Sequence, residues 1–346
     1  MNNGAKFNIG GRLYIGRYKA DSGTMYVDGV GTEVVVHYGG FDDYGSIYLG
    51  RSGVDGTLEL TNGASVKAGF VALGHTSGTS NNDIDAALNI YSGSTFYAED
   101  QIYVGRGAHS SESTNNNGSI NISGSGSSLE TDDSIYIGHV DNSEVVFFRS
   151  DDTTYAGDIS GSGDFLKAGG GTLTLTGNST FGGTANIEAG TLTMDGNLGL
   201  GGLMTIFTGA TVNGSGVVDR DVQINAGANL DLSNLIFNGV STTSTVTSIG
   251  DFSTGVQTAA VGETLDVGNA TGGTIDATAG TAQIDTLDGA TVNGGNLGVS
   301  ADTIESGTVI STGGVNVGTL NGGDISVGSG ANVTAQQGDF NGSISG

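Results

Sequence analysis

A five-residue cassette decides the fold: an alternating strand segment that ends in glycine and a basic residue, repeated five times. The copies read Leu13-Tyr14-Ile15-Gly16-Arg17, Ile47-Tyr48-Leu49-Gly50-Arg51, Val71-Ala72-Leu73-Gly74-His75, Ile102-Tyr103-Val104-Gly105-Arg106 and Ile135-Tyr136-Ile137-Gly138-His139. Successive cassette glycines are one repeat apart, and a fixed motif that returns at a period of roughly 20–50 residues indicates a repeat protein in which each repeat is one structural unit.

Two further alternating segments follow each of the first four cassettes. In the shortest copy they are Gly56-Thr57-Leu58-Glu59-Leu60 and Ala64-Ser65-Val66-Lys67-Ala68. Alternation puts Leu58 and Leu60 on one face of a strand, and a coil of three such strands buries that face only by stacking on its neighbours. The sequence therefore predicts an all-β fold, a right-handed parallel β-helix (β-solenoid) with glycine-rich turns.

The glycine content supports short strands broken by tight turns. The chain has 346 residues, of which 65 are glycine and none is proline, whereas collagen-like and low-complexity chains are rich in both. Hydrophobic residues make up 36% and charged residues 13%, so a continuous core can form and the high charge typical of disorder is missing. Glycine supplies the positive φ that such turns need.

Charge and composition argue against several classes of partner and of binding site. Asp and Glu number 36 against 10 Lys and Arg, a formal net charge of −26; this disfavours nucleic acid, which needs basic patches, and anionic membranes. The lack of cysteine excludes disulfides and thiolate metal sites. Gly322-Gly323-Asp324 and Gly272-Gly273-Thr274 are isolated fragments of a calcium-binding repeat. We therefore expect no cofactor beyond weak calcium binding at surface carboxylates.

Composition shifts predict three segments along the chain. Residues 1–144 are expected to form regular, tyrosine-bearing solenoid repeats. Residues 145–196 begin at Val145-Val146-Phe147-Phe148 and contain a denser glycine pattern. Residues 197–346 contain no tyrosine, and their dense glycines predict looser and smaller coils.

The middle segment resembles the autotransporter-associated β-strand repeat. Ile159 to Gly163, Gly171 to Asn178 and Ala189 to Leu192 match its turn and its two strands almost letter for letter. Residues 10–140 resemble the related repeat of type V secretion proteins and surface-anchored exoproteins. The resemblance implies an autotransporter passenger, which is an extracellular right-handed β-helix exported through the inner membrane and then an outer-membrane barrel.

The last residues, Gly338 to Gly346, look like the opening of a further repeat. We therefore expect this chain to be a piece of a longer protein, truncated at its C-terminal end. Any attachment to a membrane is expected to come from an anchor in the parent protein.

Two columns of side chains are the candidate binding surface. Tyr14, Tyr48, Tyr103 and Tyr136 occupy one outward position of the cassette, interrupted by Ala72; stacking that stabilises the sheet is the favoured interpretation, and a platform for sugar rings or a partner protein is the alternative. The second column consists of the basic residues Arg17, Arg51, His75, Arg106 and His139.

The basic column has two interpretations as well. It can bind an acidic polysaccharide or the acidic flank of another copy, or it can be compensated by the acidic residues Asp42, Asp43, Asp55, Asp83 and Asp85. Compensation is favoured, because like charges stacked one coil apart need counter-charges. Ser, Asn and Thr-rich insertions, from Thr76 to Asp85 and from Gly107 to Asn117, are predicted to leave the coil at the corner beside this column.

No catalytic constellation is evident. The acidic pairs are Asp42-Asp43, Asp132-Asp133 and Asp151-Asp152, and neighbours on a strand point to opposite faces. We therefore predict a non-enzymatic passenger or stalk at the cell surface, serving as an adhesin or a structural fibre, with a glycan, a protein receptor or another copy of itself as partner. The alternative is a carbohydrate-active β-helix, either a polysaccharide lyase or a hydrolase.

Overall fold

The computed structural model describes most of the chain, which divides into two compact units. The units are residues 1–185 with 199–202, and residues 186–198 with 203–346. The residues described are 4–17, 22–37, 45–75, 84–105, 116–138, 143–225, 227–231, 235–237, 240–243, 246–249, 252–259 and 264–346. The insertions predicted beside the basic column lie largely outside these ranges.

The first unit is built from short strands. They are β1 (Lys6–Gly10), β2 (Arg12–Ile15), β3 (Gly23–Asp28), β4 (Glu33–His37), β5 (Ser46–Arg51), β6 (Gly56–Thr61), β7 (Ser65–Ala68), β8 (Val71–His75), β9 (Ile84–Tyr91), β10 (Thr95–Ala98), β11 (Ile102–Val104), β12 (Asn116–Ser123), β13 (Ser128–Thr131), β14 (Ser134–Ile137), β15 (Glu144–Phe148), β16 (Thr153–Tyr155), β17 (Asp158–Gly161), β18 (Asp164–Ala168), β19 (Thr172–Leu175) and β20 (Asn178–Ser179).

The strands from β1 to β15, together with β17 and β18, pair in parallel and form three sheets. Sheet 1 has the order β1-β4-β7-β10-β13, and sheet 2 has the order β2-β5-β8-β11-β14-β17. Sheet 3 joins β3, β6, β9, β12, β15 and β18. Every third strand returns to the same sheet, so each coil adds one strand to each sheet. The predicted parallel β-helix is therefore confirmed.

The core of the first unit is a set of columns in which equivalent residues stack from coil to coil. In sheet 3, Leu58 pairs with Leu88 and Leu88 with Ile120, so one coil of the chain separates each residue from the next. The column continues through Val145 and Phe165, and all five side chains are buried. Alternation along each strand sends these residues inward and the polar residues between them outward.

The cassette glycines are required by the corner after sheet 2. All five have positive φ, from 31° at Gly138 to 74° at Gly16, a conformation that costs residues with a Cβ. A Cβ at Gly16 would also lie 1.9 Å from the carbonyl oxygen of Asp55 in the next coil. Left-handed backbone and close approach of coils together explain why glycine recurs at this position.

Aromatic rings fill the core at the end of the first unit. Phe147 lies 6.0 Å from Phe165, and Phe165 lies 5.7 Å from Phe181, measured between ring centroids. Tyr155 packs on Phe147 at 6.0 Å. All four residues are at most 3% exposed, so stacked rings continue the aliphatic columns.

The second unit is also built from parallel strands. They are β21 (Ala185–Ile187), β22 (Thr191–Met194), β23 (Asn197–Leu198), β24 (Met204–Ile206), β25 (Thr211–Gly214), β26 (Val217–Val218), β27 (Val222–Ile224), β28 (Asn229–Leu230), β29 (Ile236–Phe237), β30 (Val240–Thr243), β31 (Val246–Ile249), β32 (Val256–Thr258), β33 (Thr264–Ala270), β34 (Thr274–Ala277), β35 (Thr281–Gly294), β36 (Val299–Ser311), β37 (Val315–Leu320), β38 (Gly322–Val327), β39 (Val333–Gln337) and β40 (Asn341–Ser345).

The coils at residues 265–299 of the second unit are short. Leu265 pairs with Ala282 and Ala282 with Val299, so the chain returns to the same column after fewer residues than between Leu58 and Leu88 in the first unit. β35 and β36 each run through most of a coil, and their register shifts between Leu287 and Thr291. The three residues of this column are all buried, so the inward column persists in a smaller coil.

Among the described residues, no helix is long and apolar enough to span a membrane.

Two adjacent phenylalanines on β15 are predicted to differ in their contribution to stability. Phe147 points into the core and is 3% exposed, whereas Phe148 points outward and is 59% exposed. We expect Phe147→Ala to lower the free energy of unfolding by about 3–5 kcal/mol, because it leaves a cavity among stacked rings, and Phe148→Ala to change it by less than about 0.5 kcal/mol. Urea unfolding followed by circular dichroism measures both. Equal losses would contradict the inward and outward assignment.

Candidate functional site

The cassette tyrosines lie in one row on the outward face of sheet 2. The strand register aligns Tyr14 with Tyr48, Tyr48 with Ala72, Ala72 with Tyr103 and Tyr103 with Tyr136. Tyr14 and Tyr48 are stacked, with centroids 5.0 Å apart and ring planes 14° apart. Tyr103 and Tyr136 are 5.6 Å apart and tilted by 44°. All four rings are half-buried.

Phe70 fills the gap that Ala72 leaves in this row. Its ring lies 5.9 Å from that of Tyr48 and 5.4 Å from that of Tyr103. Phe70 lies in the bend just before β8, two residues before Ala72, and the small alanine leaves room for its ring. The five aromatic residues form a continuous series, which we call the aromatic ladder: Tyr14, Tyr48, Phe70, Tyr103 and Tyr136.

Sequence reasoning missed Phe70, although a signal was present. The residue lies just before the cassette and outside the repeated letters, so an alignment of cassettes does not include it. An aromatic residue two positions before the one cassette position that lacks tyrosine is the pattern that identifies it.

Three residues of the basic column, Arg17, Arg51 and His75, pack against the aromatic ladder. The Arg17 guanidinium lies 3.9 Å from the ring centroid of Tyr14. Arg51 lies 5.3 Å and 5.4 Å from the centroids of Tyr14 and Tyr48, and its Nη1 donates a hydrogen bond of 3.1 Å to the Tyr14 hydroxyl. The ring of His75 meets Tyr48 edge-on at 5.4 Å. Arg106 and His139 lie outside the described residues.

The charge compensation of the basic column that the sequence led us to expect stays a prediction. Asp42, Asp43 and Asp83 lie outside the described residues. Asp55 accepts a hydrogen bond of 2.8 Å from the backbone N–H of Asp85, and Asp85 accepts one of 2.8 Å from the side-chain amide of Asn117. Aromatic faces attract cations, so the ladder itself provides a favourable environment for Arg17 and Arg51.

The two ends of the ladder differ electrostatically. At Tyr14, burial raises the pKa, but a hydrogen bond with Arg12 and the charges of Arg51 and Arg17 outweigh it and hold the pKa of Tyr14 below its usual value. At Tyr136, burial and the neighbouring Tyr103 raise the pKa. The ladder is therefore cationic at its N-terminal end, where aromatic faces and guanidinium groups lie together.

The described acidic pairs make structural contacts. Asp132 accepts a hydrogen bond of 2.6 Å from the Tyr97 hydroxyl. Asp151 accepts two hydrogen bonds, of 3.1 and 2.7 Å, from the buried Arg149 guanidinium. Burial opposes ionisation of Asp151, but bonds from Arg149, Gly126 and Ser125 outweigh it and lower the pKa of Asp151 to about 2. The pair Asp42-Asp43 lies outside the described residues.

A recurring aspartate contact joins successive coils near the end of the first unit. Asp152, Asp158 and Asp164 each accept a hydrogen bond, of 2.8, 2.6 and 2.7 Å, from the backbone N–H of the residue 20 positions later. Thr184 adds its hydroxyl to Asp164 at 2.9 Å. A carboxylate is a strong acceptor for an N–H group, so part of the acidic composition serves to fasten one coil to the next. Sequence reasoning did not identify this role.

The described part of the chain contains no group of three or more His, Asp or Glu side chains placed to hold a metal ion. Weak calcium binding at surface carboxylates stays a prediction.

The Arg149–Asp151 ion pair predicts acid sensitivity. Because folding lowers the pKa of Asp151, its contribution to stability is present above the ordinary carboxyl range and is lost as pH falls from about 4 towards 2. Asp151→Asn leaves Arg149 buried without its counter-charge. We expect this variant to be less stable than the wild type at pH 7 and to lose less stability on acidification.

Urea unfolding midpoints at pH 7, 4 and 2.5 measure this effect. Glu130→Gln, at an exposed position on β13, is the control for the loss of one negative charge. Parallel pH profiles for the wild type and Asp151→Asn would contradict the assignment.

The aromatic ladder predicts energetic coupling between neighbouring rings. In a double-mutant cycle, Tyr48→Ala and Phe70→Ala should show an interaction energy of about 0.5–1.5 kcal/mol, because the two rings are in contact. The control cycle combines Tyr48→Ala with Tyr136→Ala, whose rings are separated by two others, and should be additive. Additivity in both cycles would contradict a continuous ladder.

Comparison with known families gives one match. The model of the passenger-associated-transport-repeat matches residues 165–194. Neither the curated proteins nor the solved structures searched contain a match to the chain. The matched residues lie within the segment 145–196, whose resemblance to an autotransporter repeat is thereby confirmed. The chain therefore carries the repeat of autotransporter passenger domains.

Proposed function

We propose that this chain is a non-enzymatic stalk segment of an autotransporter passenger, which holds an adhesive surface outside the cell. The observation that carries the proposal is the unbroken strand register of the first unit. Sheet 2 continues from β2 to β17 with every described strand paired to the next coil. Such an array transmits its geometry from coil to coil and suits a rigid support.

The aromatic ladder supports the same role. Its rings are half-buried, and each is in contact with the next ring along the series. Stacked cross-strand pairs stabilise a sheet, and the guanidinium groups of Arg17 and Arg51 cover one end. A ladder whose faces contact each other is better suited to stiffening the coil than to binding sugar rings.

One observation favours the alternative function, a carbohydrate-active enzyme: two acidic residues are paired on sheet 3. Glu144 pairs with Asp164 in the strand register, and burial together with the charge of Asp164 raises the pKa of Glu144. A carboxyl group with a raised pKa is a candidate general acid. However, Asp164 is engaged by the N–H and hydroxyl of Thr184, so it fastens two coils rather than facing a substrate.

The proposal and its alternative differ in a cleavage assay. We expect the protein to release no new reducing or unsaturated ends from neutral and acidic polysaccharides, and Glu144→Gln to behave identically. Cleavage by the wild type that is lost in Glu144→Gln would establish the enzyme and overturn the stalk.

Adhesion is tested separately from catalysis. Glycan-array binding and sedimentation of the wild-type protein would detect a glycan partner or self-association, which are the partners we propose. If the protein binds neither glycans nor itself, its proposed role as a support stands and its proposed adhesive role is contradicted.

A further inference from the structure

An open trough crosses four coils on the outward face of sheet 3. It has a volume of about 500 Å³, within the range of small-ligand sites. One bank consists of Ser22, Asp55, Asp85 and Asn117, and the other of Thr24, Thr57, Ala87 and Ser119. Its described lining includes no residue of the aromatic ladder or the basic column.

The trough exists because the strand register repeats. Thr57 pairs with Thr24 and with Ala87, and Ala87 pairs with Ser119, so one bank is a row of small side chains. Asp85 pairs with Asn117 in the same way, in the row of the other bank. Four rows at the strand spacing give a length of about 14 Å, parallel to the stacking direction of the coils.

Hydrogen bonds fix the polar bank. The Asp85 backbone N–H donates to Asp55 at 2.8 Å, and the Asn117 amide donates to Asp85 at 2.8 Å. Each carboxylate has two oxygens and can accept further bonds. The bank therefore offers oriented acceptors at intervals of one coil without having to reorganise.

The lining chemistry selects the class of ligand. Among the described residues, two carboxylates and no cation line the trough, which disfavours acidic polymers. Hydroxyls from Thr24, Thr57 and Ser119 can donate as well as accept, and this matches sugar hydroxyls, which do both. A cationic peptide needs acceptors alone, and the net charge of −26 would attract it at many places on the surface.

We propose that this trough binds an extended, neutral polysaccharide chain along the stacking direction of the coils. Successive sugar units would meet equivalent groups on successive coils. The inference rests on the proposed function, because it supplies the adhesive surface of a stalk that does not cleave its ligand.

The test uses two serines on the outward face of β12. Ser119 lines the trough, whereas Ser123 lies four residues along the same strand and outside it. Ser119→Tyr fills the trough, and Ser123→Tyr adds the same ring elsewhere. Isothermal titration of the full chain would use cellohexaose, mannohexaose and N-acetylchitohexaose as neutral probes, with hexagalacturonate and hexalysine as charged ones.

We expect at least one neutral hexasaccharide to bind and to be recovered intact. Ser119→Tyr should weaken its binding by about tenfold or more, Asp85→Ala by about threefold or more, and Ser123→Tyr by less than about twofold. Far-ultraviolet circular dichroism checks that each variant is folded, and Asp85→Ala keeps the test decisive should Ser119→Tyr misfold.

Three results would overturn the inference. They are no binding of any neutral probe, equal binding by Ser119→Tyr and the wild type, or loss of hexalysine binding alone in Ser119→Tyr, which would make the trough a site for cationic peptides. Any of these results without cleavage of the polysaccharide leaves the proposed stalk function standing. Cleavage of a probe would contradict the stalk function itself.

Discussion

Parallel pairing of equivalent residues in successive coils is the constraint on which this protein depends. One coil cannot bury the inward face of its own strands, so Leu58 is buried because Leu88 stacks on it, and Leu88 because Ile120 follows. The same pairing aligns the outward side chains, and the aromatic ladder, the aspartate contacts between coils and the polar trough are all consequences of it. Glycine at the cassette corner permits the close approach of coils that this pairing needs.

Charge has a structural role in such an array as well as a role in solubility. A net charge of −26 disfavours binding of anionic polymers, but many of the carboxylates also make specific bonds. Asp152 and Asp158 accept N–H groups of the next coil, and Asp151 holds the buried Arg149 guanidinium. Some of the carboxylates that make the chain acidic therefore also stabilise the stacked coils.

Sequence reasoning predicted the fold because its signals are local and repeated. Alternation within the cassettes identifies the strands, and the cassette spacing identifies the coil. Phe70 was missed because it lies outside the repeated letters, and the aspartate contacts because they join distant positions whose neighbours differ. The trough depends on the register between strands of successive coils, and insertions of unequal length hide that register in the sequence.

Disulfide trapping in sheet 1 tests the register most directly, because the protein contains no cysteine of its own. Ser65 and Thr95 are directly paired on the outward side of β7 and β10, whereas Lys67 is paired with Tyr97. Neighbouring strands lie about 4.8 Å apart, within the Cα separation that a disulfide needs, and a two-residue offset exceeds it. Ser65→Cys with Thr95→Cys should therefore oxidise to an intramolecular disulfide, and Lys67→Cys with Thr95→Cys should stay reduced. Efficient bridging of the second pair, or failure of the first, would contradict the stacking of coils described above.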